Sequence, residues 1–362
     1  MEYESKLVNE LLKAGQTVDV GGLAVECKPV PDGTPGRMDP RQLTLELAVF
    51  RENARREGPP PPLEELRAHM GGFNYNLCRR EIYTRYIEVP TSAGTVPVWG
   101  YYPRHGRKVR PALVYVHGGA FFGGTPFTTE NPCRLIAEKA DAVVWNVDYA
   151  LAPEHPYPIP CTQVYEVVCY LHAHAAEFGM DADRLAVAGD SAGGNLCAAA
   201  AQMDRDKNTR YIKAQVLLYA KLTFTNHGLP GYQRDETAFE IAEEQKFLLP
   251  GMLRIGSDAS NRGDAEVYVQ GRYDLKTPYI SPAFGSCEGL PRALFLLAEY
   301  DGLRLEGEFY ARKLQDAGVE VRVVRYCGVC HGFFDALGIL PQSEAAVHEI
   351  AGLLNTIEGG NL

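Results

Sequence analysis

Apolar and polar positions change their spacing along this chain in a way that separates strands from helices. Runs at 112–116, 142–149, 185–188, 215–219 and 293–298 are almost continuously apolar, as strands buried on both faces of a parallel sheet are. A further run at 320–326 continues the series, and 85–89 with 96–102, each bounded by Pro or Gly, reads as an antiparallel pair that opens the sheet. Between these runs the spacing becomes helical. Residues 162–178 carry Val164, Val167, Val168, Leu171 and Ala175 on one face, and 196–203, 305–317 and 343–357 behave alike. Alternating buried strands and amphipathic helices predict an α/β fold, a mainly parallel eight-stranded sheet with helices on both faces.

Two stretches break the rhythm. Residues 1–80 read as helical: Leu7, Val8, Leu11 and Leu12 precede Gly15, a second helix starts at the Asp39-Pro40 N-cap and should run to about Arg56, and a third covers 63–70 after Gly58 and Pro59, Pro60, Pro61 and Pro62. The interval between Tyr219 and Ala293 is too long for a simple crossover, and 236–254 within it is helical and apolar on one side. Both stretches are expected to form a helical cap over the strand ends. The predicted organisation is therefore 1–80 as N-terminal cap, 81–220 with 286–362 as the main domain, and 221–285 as a cap insertion.

Composition narrows the partners. With 362 residues, 46% of them hydrophobic and 23% charged, the chain can bury a large core. A net charge of -10 gives no basic footprint, which argues against nucleic acid and anionic membrane surfaces. The first residues lack a basic head and an apolar core, so no signal peptide is expected, and no apolar run reaches the ~18 residues of a spanning helix. Nine cysteines without a framework spacing suit reduced thiols, hence a cytoplasmic location.

The chemistry concentrates where a strand meets a helix. Gly189-Asp190-Ser191-Ala192-Gly193 follows an apolar run and precedes an Ala-rich segment, so glycines flank a sharp turn with a serine at its apex. A serine hydroxyl needs a base, and the base needs an orienting carboxylate. In folds with such an elbow these follow in the order acid, then histidine, after later strands. Asp301 follows the strand at 293–298 and His331 the one at 320–326. Alone, Asp301 could serve as a helix N-cap and Glu299 could be the orienting acid, but together with the elbow the assignment is Ser191 as nucleophile, His331 as base and Asp301 as orienting acid. The backbone amides of Gly118, Gly119 and Ala120, with that of Ala192, are of the right type to hold an oxyanion. Phe121, Phe122 and Phe333 are candidate substrate-pocket residues, with Phe334, Phe247 and Met252 further options.

Five ordered motifs then resemble the hormone-sensitive-lipase-like family of α/β-hydrolases, bacterial carboxylesterases in particular. They are His117-Gly-Gly-Ala-Phe121, Asp148-Tyr-Ala-Leu-Ala-Pro-Glu-His155, Gly189-Asp-Ser-Ala-Gly-Gly194, Asp301-Gly-Leu-Arg304 and His331-Gly-Phe333. The resemblance covers roughly residues 80–355. It implies an α/β-hydrolase fold with a helical cap and a serine carboxylesterase acting on small-molecule esters of short to medium acyl chains. No metal or cofactor is implied, and a homodimer stays open. Two alternatives share the fold: an amide hydrolase of the arylacetamide-deacetylase type, and a catalytically silent ligand-binding receptor, against which the presence of His331 argues. Three positions depart from the family pattern: Ala120 for a third Gly, Ala150 for an Arg and Leu305 for an Asp. Cys327-Gly-Val-Cys330-His331 also matches a c-type haem attachment pattern, but neither export nor a helical haem pocket accompanies it. The two cysteines are instead read as packing residues, with a redox role open.

Overall fold

The computed structural model describes residues 3–31, 33–55, 58, 61–68 and 70–358. In chain order the elements are α1 (Ser5–Lys13), β1 (Gln16–Val20), β2 (Leu23–Lys28), α2 (Pro40–Arg55), α3 (Leu63–Ala68), β3 (Ile82–Thr91), β4 (Gly94–Pro103) and β5 (Arg110–Val116). Then come α4 (Glu130–Ala140), β6 (Val143–Val147), α5 (Ile159–Ala173), β7 (Met180–Asp190), α6 (Ala192–Asp206) and β8 (Ile212–Leu218). The chain ends with α7 (Leu249–Leu253), α8 (Asp258–Tyr268), β9 (Arg292–Tyr300), α9 (Arg304–Asp316), β10 (Val321–Cys330) and α10 (Pro341–Asn355).

The strands form one sheet in the order β1-β2-β10-β9-β8-β7-β5-β6-β4-β3. From β2 to β6 in that order neighbours are parallel, and β1, β4 and β3 pair antiparallel. On one face α5, α6 and α9 bury Val164, Val167, Leu196, Ala198 and Leu314 against it. On the other α1, α4 and α10 bury Val8, Leu11, Leu135, Ile136, Val347 and Ile350. The eight strands read from the sequence are all present. Helix α4, the obligatory crossover between the parallel β5 and β6, was not read from the sequence, and the expected helix over 236–254 is short 3-10 turns followed by α7.

The larger correction lies at the N-terminus. Residues 16–28 are not helical but a hairpin, and they raise the strand count to ten among the described residues. The cause is legible afterwards: Val18 and Val20 alternate with polar residues, the buried Leu23 and Val25 alternate with Ala24 and Glu26, and Gly21-Gly22 between them takes φ of 59° and 88°. Both values suit a two-residue hairpin turn that fits strand twist. Strand β2 then lies along β10 with Val25 beside Val323, covering an edge that would otherwise expose unpaired backbone. Helix α1 packs on α10, so residues 3–28 extend the sheet and its helical layers.

The Asp39-Pro40 helix start is as expected, with the Arg41 amide donating to the Asp39 carboxylate at 2.9 Å. Its expected end at Arg56 and the stop at Pro59 and Pro60 lie outside the described residues. Asp39 also donates its own amide to the Gly328 carbonyl at 2.9 Å, and Met38 donates to Gln245 at 3.0 Å. The start of α2 is thus tied to both β10 and the 221–285 insertion.

Val25 is wholly buried while Ala24 is exposed. If the hairpin is part of the cooperative core, Val25→Ala lowers unfolding free energy by roughly 2 kcal/mol and Ala24→Ser by less than about 0.5. Urea denaturation of the two variants reads the difference.

Candidate active site

Ser191 sits between β7 and α6 with φ 52° and ψ −116°, a conformation that L-residues avoid and that costs on the order of 1–3 kcal/mol. Its surroundings hold it there. The Ser191 amide donates to Leu218 O at 2.9 Å, and its carbonyl accepts from Lys221 at 3.0 Å. Asn195, one helical turn on, donates its side-chain amide to the carbonyls of Lys221 and Ile280, each at 2.9 Å. Glycine is required by contact at two places here: a Cβ on Gly193 would lie 2.0 Å from Val116 O, and one on Gly189 would lie 2.5 Å from Gly193. The N-terminus of α6 therefore starts directly beneath the hydroxyl, and its dipole favours negative charge there.

Strand β10 carries the histidine. Its register shifts between Tyr326 and Cys330, around Gly328 at φ 75°, and the bulge turns His331 back over β7. His331 Nε2 lies 3.0 Å from Ser191 Oγ, and Nδ1 lies 2.8 Å from Asp301 Oδ2. Asp301 is fully buried at the end of β9, its other oxygen accepting from the Leu303 amide at 2.9 Å. It thus both starts α9 and faces the histidine. Glu299, the competing acid, accepts instead from the Gly328 amide at 2.7 Å and steadies the bulge. Burial, the largest single influence, pulls the His331 pKa down, but the charge and hydrogen bond of Asp301, with help from the Asp190 charge, bring it above the usual histidine value.

The loop after β5 turns through three successive positive φ angles, Gly119 at 129°, Ala120 at 51° and Phe121 at 66°. Ala120 and Phe121 carry side chains in left-handed backbone, so the loop is held rather than relaxed. Arg67 of α3 does part of that holding, donating to Phe122 O at 2.5 Å and Ala152 O at 2.8 Å. The amides of Gly119, Ala120 and Ala192 have no acceptor among the described residues. Gly118 differs: its amide is spent on Asp190 Oδ1 at 2.9 Å, so it drops out of the expected set of oxyanion donors. The same oxygen accepts from Tyr115 at 2.9 Å. Burial lifts the Asp190 carboxyl to about 6 against the pull of these donors. Asp335, which also borders the site, is raised well above the usual carboxylate range by burial and by the Asp190 charge. His117 is equally buried, its pKa lowered to about 4, and it stacks on Tyr149 with ring centroids 4.5 Å apart.

A cavity of about 790 Å³ opens above Ser191 and His331. Phe121 and Phe122 border it. Phe333 does not: its ring is buried between Tyr219 and Tyr326 in the layer beneath. Phe334 stacks on Tyr115, Met252 packs on Cys330, and Phe247 meets Phe50 at the surface, so none of these lines the cavity either. Cys327 and Cys330 point apart in role as well, since the thiol hydrogen-bonded to Cys327 is that of Cys27 across the β2/β10 pair. Residues that sequence reasoning missed also border the cavity: Leu66, Met70, Lys221, Arg254 and Asp264. No motif marks them, because each is distant from the elbow in sequence and ordinary in type.

A family profile for the alpha/beta hydrolase fold matches residues 113–335. The chain is 36% identical to the carboxylic ester hydrolase LipN of Mycobacterium tuberculosis over 302 residues, 80% of this chain and 74% of the relative. Rabbit arylacetamide deacetylase is 29% identical over 311 residues, 69% of this chain and 78% of that protein. Among solved structures, a hyperthermophilic esterase of the archaeon Pyrobaculum calidifontis superposes with a TM-score of 0.73 at 32% identity, covering 88% of this chain and 98% of that one.

The contact of Gly193 with the β5 carbonyl gives a direct check. A methyl group there meets backbone on a neighbouring strand, which has no room to yield. Gly193→Ala is expected to lose about 3 kcal/mol or more of stability, or to yield no soluble protein, whereas Gly352→Ala, open on the surface of α10, stabilises slightly. Thermal melts of both variants decide it.

Proposed function

Because the chain belongs to the α/β-hydrolase family, in its hormone-sensitive-lipase-like branch, we propose that it is a serine carboxylesterase whose nucleophile is Ser191, whose base is His331 and whose orienting acid is Asp301. The observation that carries this reading is the unbroken path from Ser191 Oγ through the imidazole to the buried Asp301, 3.0 Å and 2.8 Å long at its two steps.

The ester carbonyl carbon approaches Ser191 while its oxygen enters the space before the free amides of Gly119, Ala120 and Ala192. Ser191 Oγ bonds to that carbon as His331 Nε2 takes the hydroxyl proton. The charge gathers on the former carbonyl oxygen, where each amide donor contributes on the order of 3 kcal/mol to lowering the barrier. Asp301 fixes the tautomer in which Nδ1 carries a proton and stabilises the imidazolium. Collapse breaks the bond to the alcohol, which leaves with the proton from Nε2. Water, deprotonated by the same nitrogen, then cleaves the acyl-enzyme and frees the acid. Asp190 contributes by holding Gly118, and so the loop, at a fixed height above the serine.

The cap in this reading comprises 29–80 and 221–285, and a cavity of about 790 Å³ beneath it suits esters of short to medium acyl chains. The nine cysteines, all unpaired, suit a cytoplasmic site of action. Amide hydrolysis is the second reading, favoured by the similarity to the rabbit protein named arylacetamide deacetylase. Rates on a 4-nitrophenyl ester and the matching 4-nitroanilide separate the two.

Ser191→Ala and His331→Ala are each expected to lower ester turnover by about three powers of ten or more with thermal stability retained. Near wild-type turnover in either rejects the assignment. The base must be neutral to act, and its pKa is raised, so kcat/KM should climb with pH through a midpoint above 6.5, the usual histidine value, and level off beyond it. Asp301→Asn removes the influence that raises it. A pH-rate profile of that variant should show the midpoint displaced downward together with a large drop in the plateau.

A further inference from the structure

The cavity above Ser191 has two unlike ends. Toward α3 it is closed by Pro61, Leu66 and Met70, which offer apolar contact. Toward α8 it is closed by charge. Lys221, only 4% exposed, donates its amide to the Ser191 carbonyl and sends its ammonium to Asn261 Oδ1 at 2.6 Å and Asp264 Oδ2 at 3.1 Å. Glu306, fully buried, faces the same ammonium and accepts from the Leu222 amide at 2.9 Å. Lys221 is therefore compensated within the protein.

Arg254 is not. It follows α7, is exposed and borders the same end of the cavity, and its guanidinium has no hydrogen-bond or acidic partner among the described residues. Of the other acids at the cavity, Asp190 is engaged by Tyr115 and Gly118, and Asp335 is raised above the usual carboxylate range by burial. Arg254 is thus a cation at the α8 end that no acid among the described residues pairs. A second observation points the same way. Gly263, on the cavity side of α8, has nothing within 4 Å of where a Cβ would stand. Glycine inside a helix is unfavourable to that helix, and here it leaves open space at an exposed position that borders the cavity.

We infer that the α8 end of the cavity receives an anionic group carried by the ester, paired with Arg254 and accommodated by the space at Gly263. The substrate class is then an ester that keeps a free carboxylate, on either its acyl or its alcohol part, and the inference rests on the serine-esterase reading above. A guanidinium pairs a carboxylate through two parallel hydrogen bonds, and at the rim of a low-dielectric cavity this discriminates charged from neutral groups of equal size.

The test uses the full chain and two matched pairs. In the first, 4-nitrophenyl hemiglutarate is set against 4-nitrophenyl hexanoate. In the second, the pentanoate ester of 3-hydroxybenzoate is set against that of 3-hydroxybenzamide. One of the two anionic esters is expected to show kcat/KM about tenfold above its neutral match, mostly through KM, and to lose that advantage as salt is raised. Which pair responds tells whether the anion sits on the acyl or the alcohol side. Arg254→Gln should bring the ratio to about one, Arg254→Lys should keep part of it, and Gly263→Leu should raise KM most for the favoured ester. Equal rates within both pairs, or a preference that survives Arg254→Gln, overturns the inference. Failure of all four esters rejects the esterase reading instead. The anion site is then read by calorimetry: monomethyl glutarate should bind more tightly than methyl pentanoate to the unaltered chain but not to Arg254→Gln, and equal affinities overturn it.

Discussion

Gly193 lies so near the end of β5 that a single methyl group would reach within 2.0 Å of the Val116 carbonyl. That approach lets α6 begin under Ser191 instead of beside it. It also explains the positive φ of the serine, since a helix entered at such short range leaves the chain no relaxed way to turn. Gly189 meets Gly193 from the other side, and Gly194 faces Ala220, so the turn is clamped between β5, β7 and the segment after β8. Everything proposed for the chemistry depends on a hydroxyl lifted clear of the sheet by this packing.

The loop after β5 is the second strained piece, and it is joined to the first by one carboxylate. Asp190 precedes the serine and accepts from Gly118 at the base of the loop, so the amides left free in the loop keep a set height relative to the hydroxyl. The same loop is reached from outside by Arg67, whose guanidinium spans Phe122, Ala152 and Glu154. A helix in the N-terminal segment holds the backbone on which an oxyanion would rest, and the start of α2 holds the bulge that presents His331.

Electrostatics around the site divide along the same lines. His331 faces Asp301 and, farther off, Asp190, which favour its charged form, while Lys221 opposes them from the α8 side. Burial opposes them as well, so the imidazole is poised by competing influences and not by a single neighbour. Arg304 illustrates how the fold spends its charges elsewhere: it lies over the Phe239 ring at 4.0 Å and donates to Glu299 O and Ala238 O, tying the 221–285 segment to β9 without touching the groups around Ser191.

The eight strands from β3 to β10, the elbow with its glycines, and the placement of a later acid and a still later histidine were legible in the sequence, though α4 was not, because each is local: apolar spacing, turn chemistry and position after a strand are properties of a few neighbouring residues. The hairpin at 16–28 was legible too, through alternation around Gly21-Gly22, but a helical reading of the preceding leucines obscured it. What the sequence left to packing was the contact of the acid with His331 and which amides of the loop stay free. Distances across the sheet decided both, giving Asp301 to the histidine and Gly118 to Asp190. It was silent on the cavity walls, since Lys221, Arg254 and Asp264 have no shared spacing and meet only when the insertion folds back over β7. Local backbone preference is written residue by residue, whereas the partner of a side chain is set by the whole chain's packing, and only there could those assignments be made.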